Sequence, residues 1–69
     1  MLNGSRYWAN SCVVLKSGER YFVEDSEYSI KKKLESDEKI ITLRTAGIYS
    51  SVIHIRKDAI SSYRRYSLF

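Results

Sequence analysis

The apolar residues of this chain fall into short β-branched and aromatic runs, each too brief for a buried helix, and that spacing confines it to a strand-rich fold. Ser11 to Lys16, dominated by Cys12-Val13-Val14-Leu15, is followed by Ser17-Gly18 and then by Arg20-Tyr21-Phe22-Val23-Glu24. Two β-rich runs around a short glycine-containing turn read as a hairpin. Successive strand side chains alternate between faces. Val13 and Leu15 therefore share one face opposite Tyr21 and Val23, while Val14 and Phe22 point the other way.

Farther along, Lys39 to Thr45 reads as a strand, Ala46-Gly47 opens a loop to about Ser50, and Ser51 to Arg56 reads as the next strand. Lys57-Asp58-Ala59 is a tight connection, and Ile60 to Tyr66 a last strand. Between the second and third strands the periodicity changes. Asp25-Ser26 can cap a helix by accepting from a free N–H of its first turn. Glu27 then complements the positive helix end. Ile30 and Leu34 lie one turn apart on one face, and Glu27 and Glu35 are each at pairing distance from Lys31. The spacing predicts a helix from about Glu27 to Glu35. The predicted fold is mainly β with one short helix, in the order β-β-α-β-β-β, as a small barrel or curved antiparallel sheet.

Several strands are apolar on both faces: Val13 with Val14, Tyr21 with Phe22, Ile40 with Ile41, Val52 with Ile53. A half-exposed antiparallel sheet alternates apolar with polar, and one short helix does not cover the surplus. The excess apolar surface implies a subunit interface. Size points the same way. A single domain of 69 residues is near the limit at which one core offsets chain entropy. Cys12 is the only cysteine and His54 the only histidine, so neither an internal disulfide nor a structural zinc site is available. A homo-oligomer is the expected source of added stability. No apolar stretch is long enough to span a bilayer, and Met1 to Asn10 lacks the pattern of a secretory leader. With an unpaired thiol, this favours the reducing cytoplasm.

Catalytic material is thin. Cys12 lies in an apolar strand, and the acids Glu24, Asp25 and Glu27 are explained by capping and the helix dipole. Gly4, Gly18 and Gly47 are too far apart for a phosphate loop. No enzyme and no cofactor is expected. The net charge of +4 suits an acidic partner, nucleic acid or an acidic protein surface. Lys31-Lys32-Lys33 reads as a solvated helix face. Two other clusters carry more chemistry: His54, Arg56 and Lys57 around the fourth strand, and the tail Tyr63-Arg64-Arg65-Tyr66. Arginine pairs with phosphate and aromatics stack on bases, so their interleaving suits single-stranded nucleic acid.

Lys57-Asp58-Ala59-Ile60-Ser61-Ser62 resembles the second signature of the bacterial Sm-like RNA chaperones of the Hfq type, Lys-His-Ala-Ile-Ser-Thr. Val13-Val14-Leu15-Lys16-Ser17-Gly18 is similar to their first signature, an apolar strand ending in Asn-Gly. The resemblance implies an SH3/Sm-like five-stranded barrel in an RNA-binding ring. The family's lysine matches Lys57, but its uridine-contacting histidine is Asp58 here, and its helix precedes the strands rather than following the second. Ser50 to Ile60 also resembles the Thr-Ser-Ala-Ile-Lys-Ile-Arg-Gly-Glu-Ala-Leu segment of the trp RNA-binding attenuation protein family, rings of β-subunits with RNA on the rim. Its RNA-contacting arginine matches Arg56, and its lysine is His54 here.

The expected function is regulatory binding of RNA or single-stranded nucleic acid by a homo-oligomer. Arg56, Lys57, Arg64 and Arg65 are the expected phosphate contacts, Tyr63 and Tyr66 the stacking residues, and His54 lies beside them. The alternative is a protein-binding inhibitor or adaptor of a phage-like, mobile-element type. It would use the aromatic tail or Lys31 to Lys33 against an acidic surface.

Overall fold

A computed structural model of the chain describes residues 8–66. Residues 1–7, most of the stretch read above for a leader, and residues 67–69 lie outside the described part. Strand β1 (Ser11–Leu15) and strand β2 (Arg20–Val23) form the expected antiparallel hairpin, with Ser11 opposite Val23 and Val13 opposite Tyr21. Gly18 makes the turn at φ +97°, a conformation that side chains with a Cβ rarely adopt. Its N–H donates to the Leu15 carbonyl at 2.9 Å, and the Leu15 N–H donates to the Glu19 carbonyl at 2.8 Å.

Helix α1 spans Glu27–Glu35. Ser26 is its N-cap, accepting from the Ser29 N–H through Oγ at 3.1 Å. At the other end the Ser36 hydroxyl donates to the Lys33 carbonyl at 2.6 Å. Ile30 is fully buried and Leu34 half-buried, as their spacing requires. The expected pairs of Lys31 with Glu27 and Glu35 do not form, because the only ion pairs among the described residues are Lys33–Asp25 and Arg56–Asp58. Such exposed helical pairs contribute only a few tenths of a kcal/mol, and Glu27 instead accepts the Arg65 backbone N–H at 3.2 Å.

Strands β3 (Ile40–Arg44) and β4 (Val52–Arg56) pair antiparallel, and a 3-10 turn at Lys57–Ala59 leads into β5 (Ile60–Arg65). Strand β5 returns to β1, giving a three-stranded sheet in the order β2-β1-β5 beside the two-stranded sheet β3-β4. Ser61 is the extra residue where the β1–β5 register shifts between Val14 and Leu15. The sheets are joined by a bridge between Val23 and Thr45, by the Glu24 N–H to the Arg44 carbonyl (2.8 Å), and by the Ala46 N–H to the Phe22 carbonyl (2.9 Å). The order β-β-α-β-β-β is as predicted, with the helix between β2 and β3.

One core lies between the sheets and beneath the helix: Val13 and Val23 from one sheet, Ile41, Leu43 and Ile55 from the other, and Ile30 from α1. The two-faced strands meet different ends. Across the outer side of the central strand, Phe22 and Tyr66 pack edge to face, with ring centroids 5.1 Å apart. Cys12, between Phe22 and Arg64 in the register, is 2% exposed and its thiol is free. Part of the apolar surplus is thus absorbed within the chain. On the other sheet it is not, since Ile40 is 53% and Val52 46% exposed. Among the described residues no helix is long and apolar enough to cross a membrane.

Lys33 departs from the expected solvated run. Its ammonium donates to Asp25 Oδ2 at 2.7 Å and to the Thr42 carbonyl at 2.6 Å, while Asp25 Oδ1 accepts the Arg44 N–H at 2.8 Å. This network fastens α1 to the side of β3 that faces away from β4. Lys31 and Lys32 remain exposed. Tyr21 stands at the hairpin rim, and its phenol is held above its ordinary pKa by burial first, then by the charge of Glu19 and the hydrogen bond to it.

Candidate nucleic-acid interface

The inward alternation of Ile41, Leu43, Ile53 and Ile55 decides what the second sheet shows to solvent. Its outer face carries Ile40, Thr42 and Arg44 on β3 and Val52, His54 and Arg56 on β4, all exposed. The register sets Ile40 beside Arg56, Thr42 beside His54, and Arg44 beside Val52. None of these outward positions carries a carboxylate. At the centre, Thr42 Oγ1 and His54 Nδ1 share a hydrogen bond of 3.2 Å, which fixes the imidazole against β3.

Arg56 is held in a fork by its own turn, with Nε 3.2 Å and Nη2 2.8 Å from the carboxylate of Asp58. The pair is open to water, at 71% and 67% side-chain exposure, so it contributes little stability and yields to a competing anion at low cost. The Lys57 ammonium is turned away from this face and donates to the Ser36 carbonyl at the end of α1. The loop after β3 is pinned at its base, where the Ser51 N–H donates to Thr45 Oγ1 and the Thr45 N–H to the Ser51 carbonyl, both at 2.9 Å. At its tip Tyr49 is 95% exposed beside the exposed Ile48, on the loop that joins β3 to β4.

The structure divides the sequence-predicted residues. His54 and Arg56 share the β3–β4 face. Arg64 lies on the outer side of the other sheet, opposite Cys12, and Tyr66 packs edge to face with Phe22 there. Tyr63 packs against the core from the inner side, and Arg65, two residues on, shares that side. Tyr63 is half-buried, and the Lys57 ammonium is bonded at the helix end. The sequence reading missed Arg44, although its period-two relation to Ile41 and Leu43 places it outward. It also missed Tyr49, whose loop position carried no aromatic–basic interleaving. An open groove of roughly 400 Å³ lies between Leu34, Lys57, Ile60, Ser61, Ser62 and Tyr63, and its one cation is the engaged Lys57. Among the described residues no group of three or more His, Cys, Asp or Glu side chains is placed to hold a metal.

Compared with known proteins, the chain matches no family model, no curated protein and no solved structure.

Proposed function

We propose that this chain is a regulatory binding protein, without catalytic activity of its own, that takes RNA or single-stranded nucleic acid as a homo-oligomer. The observation that carries the reading is the outer face of β3–β4. It exposes Arg44, His54 and Arg56 with no carboxylate among its strand positions, and the loop joining its two strands carries the exposed Tyr49. Guanidinium groups neutralise phosphates and an exposed ring offers a stacking surface for a base. Arg64 and Arg65, both exposed, are the secondary phosphate contacts. The exposed Ile40 and Val52 and the small shared core support self-association. The free thiol of Cys12 suits a cytoplasmic setting.

Purification from lysate with and without nuclease tests the reading. Nucleic acid is expected to travel with the untreated protein, seen as excess absorbance at the base maximum. Protein free of nucleic acid that instead retains one acidic polypeptide would replace this reading with the inhibitor or adaptor.

A further inference from the structure

The ladders decide which strand edges are occupied. The Tyr66 N–H donates to the Asn10 carbonyl at 3.0 Å, so beyond the extra residue Ser61 the even-numbered Ser62 and Arg64 of β5 face β1, and Tyr63 and Arg65 face away. The outward Arg65 N–H is taken by Glu27, on the helix that packs beside β5, while the outward N–H and C=O of Tyr63 have no hydrogen-bond partner among the described residues. The side of β3 away from β4 is taken by Glu24, Asp25 and Lys33. The side of β2 away from β1 runs into the Val23–Thr45 bridge and the Ala46–Phe22 bond.

Strand β4 differs. The Thr45 N–H donates to the Ser51 carbonyl at 2.9 Å and the Lys57 N–H to the Lys39 carbonyl at 3.0 Å, so the odd-numbered residues of β4 face β3. The backbone groups of Val52, His54 and Arg56 point outward, and among the described residues they have no hydrogen-bond partner. This is a regular five-residue strand with no proline and no bulge. Such an edge is a template for another strand.

We infer that β4 pairs antiparallel with β4 of a second copy, across a two-fold axis centred on His54. The second copy is the occupant because the edge is complementary to itself. Antiparallel pairing about His54 sets Val52 against the second copy's Arg56 and His54 against its counterpart. These are the residues whose N–H and C=O groups point outward, so each pair exchanges both backbone bonds. Along one row of the resulting four-stranded face the order is Ile40, Arg56, Val52, Arg44, with apolar and basic side chains alternating across the joint. Arg56 brings no uncompensated charge to the seam, because Asp58 already holds it. Its aliphatic stem covers the half-exposed Val52. The closed two-fold contact leaves neither β4 edge open. It joins both outer faces into one surface with doubled Arg44, His54 and Arg56. The inference rests on the oligomeric half of the proposed function and is independent of whether nucleic acid binds.

Sedimentation of the full chain at micromolar concentration, free of nucleic acid, is expected to give a dimer. Oxidised His54→Cys is expected to form a disulfide-linked dimer. Thr42→Cys is expected to form none, since the β3 strands of the two copies stand about three strand spacings apart, near 14 Å, beyond the roughly 7 Å that a disulfide spans. His54→Pro removes an N–H that the β3–β4 ladder does not use, and is expected to give a folded monomer by circular dichroism and sedimentation. A monomeric wild type overturns both the inference and the oligomeric reading. A wild-type oligomer in which His54→Cys cross-links no better than Thr42→Cys overturns the β4 pairing alone. Should His54→Pro fail to fold, the cross-linking pair decides.

Discussion

Asp25 illustrates how one side chain outweighs its neighbours. Its carboxylate is 12% exposed and accepts from the Arg44 N–H and the Lys33 ammonium, tying the start of α1 to β3. Removing it leaves a backbone donor and a half-buried cation without their partner. Asp25→Ala is expected to lower stability by about 1–3 kcal/mol in denaturant unfolding, the usual cost of unsatisfied buried groups. Ser11 is the opposite case. It is fully buried, and its hydroxyl has no hydrogen-bond partner. Ser11→Ala deletes an uncompensated polar group, so its unfolding free energy is expected to stay within about 1 kcal/mol of wild type or to rise. A loss of several kcal/mol on that substitution would mean that the hydroxyl is bonded after all. Neither role was legible in the sequence. Asp25 reads there as a cap residue, since its partner Arg44 is distant in the chain. Ser11 reads simply as the first residue of an apolar strand.

At the scale of elements, the helix was readable because its signals are local. Ser26 caps it, and Ile30 and Leu34 recur at helical spacing, so sequence and structure agree on Glu27–Glu35. The strands were readable from their short β-branched runs, but not which of two adjacent apolar residues turns inward: Ile41 is buried and Ile40 exposed. What the lysine run does was not readable, because only the packing of α1 against β3 separates Lys33 from Lys31. The two are expected to behave differently on replacement. Lys31→Gln is expected to leave the melting temperature nearly unchanged. Lys33→Gln is expected to lower it measurably, consistent with the loss of a charge-assisted hydrogen bond of about 1.5–3 kcal/mol. Equal effects would show that the Lys33 bridge carries no stability. The aromatic tail divides on similar grounds. Tyr63 and Tyr66 look alike in sequence, yet strand alternation sends one toward the core and the other onto Phe22. Arg44 was overlooked because it ends a strand instead of joining a basic run.

For the molecule as a whole, the fold accounts for where its charge is useful. Three of the eight acids are engaged within the structure: Asp25 on β3, Glu27 on the β5 edge, Asp58 on Arg56. The β3–β4 face is left with basic, hydroxyl and apolar groups, and the loop joining its strands carries an exposed ring. Its binding is expected to be electrostatic and sequence-tolerant, because phosphate contacts carry no base information. The most direct measurement of this account is fluorescence anisotropy with single-stranded RNA and DNA of random sequence, over a salt series. Affinity is expected to fall with salt, with a slope of about −0.7 in log K against log salt for each phosphate neutralised. Arg44→Ala is expected to weaken binding and to make the slope shallower by about that amount. Tyr49→Ala is expected to cost about 1–3 kcal/mol with the slope unchanged. Absence of binding at low salt, or binding that neither substitution at the β3–β4 face alters, would contradict the account.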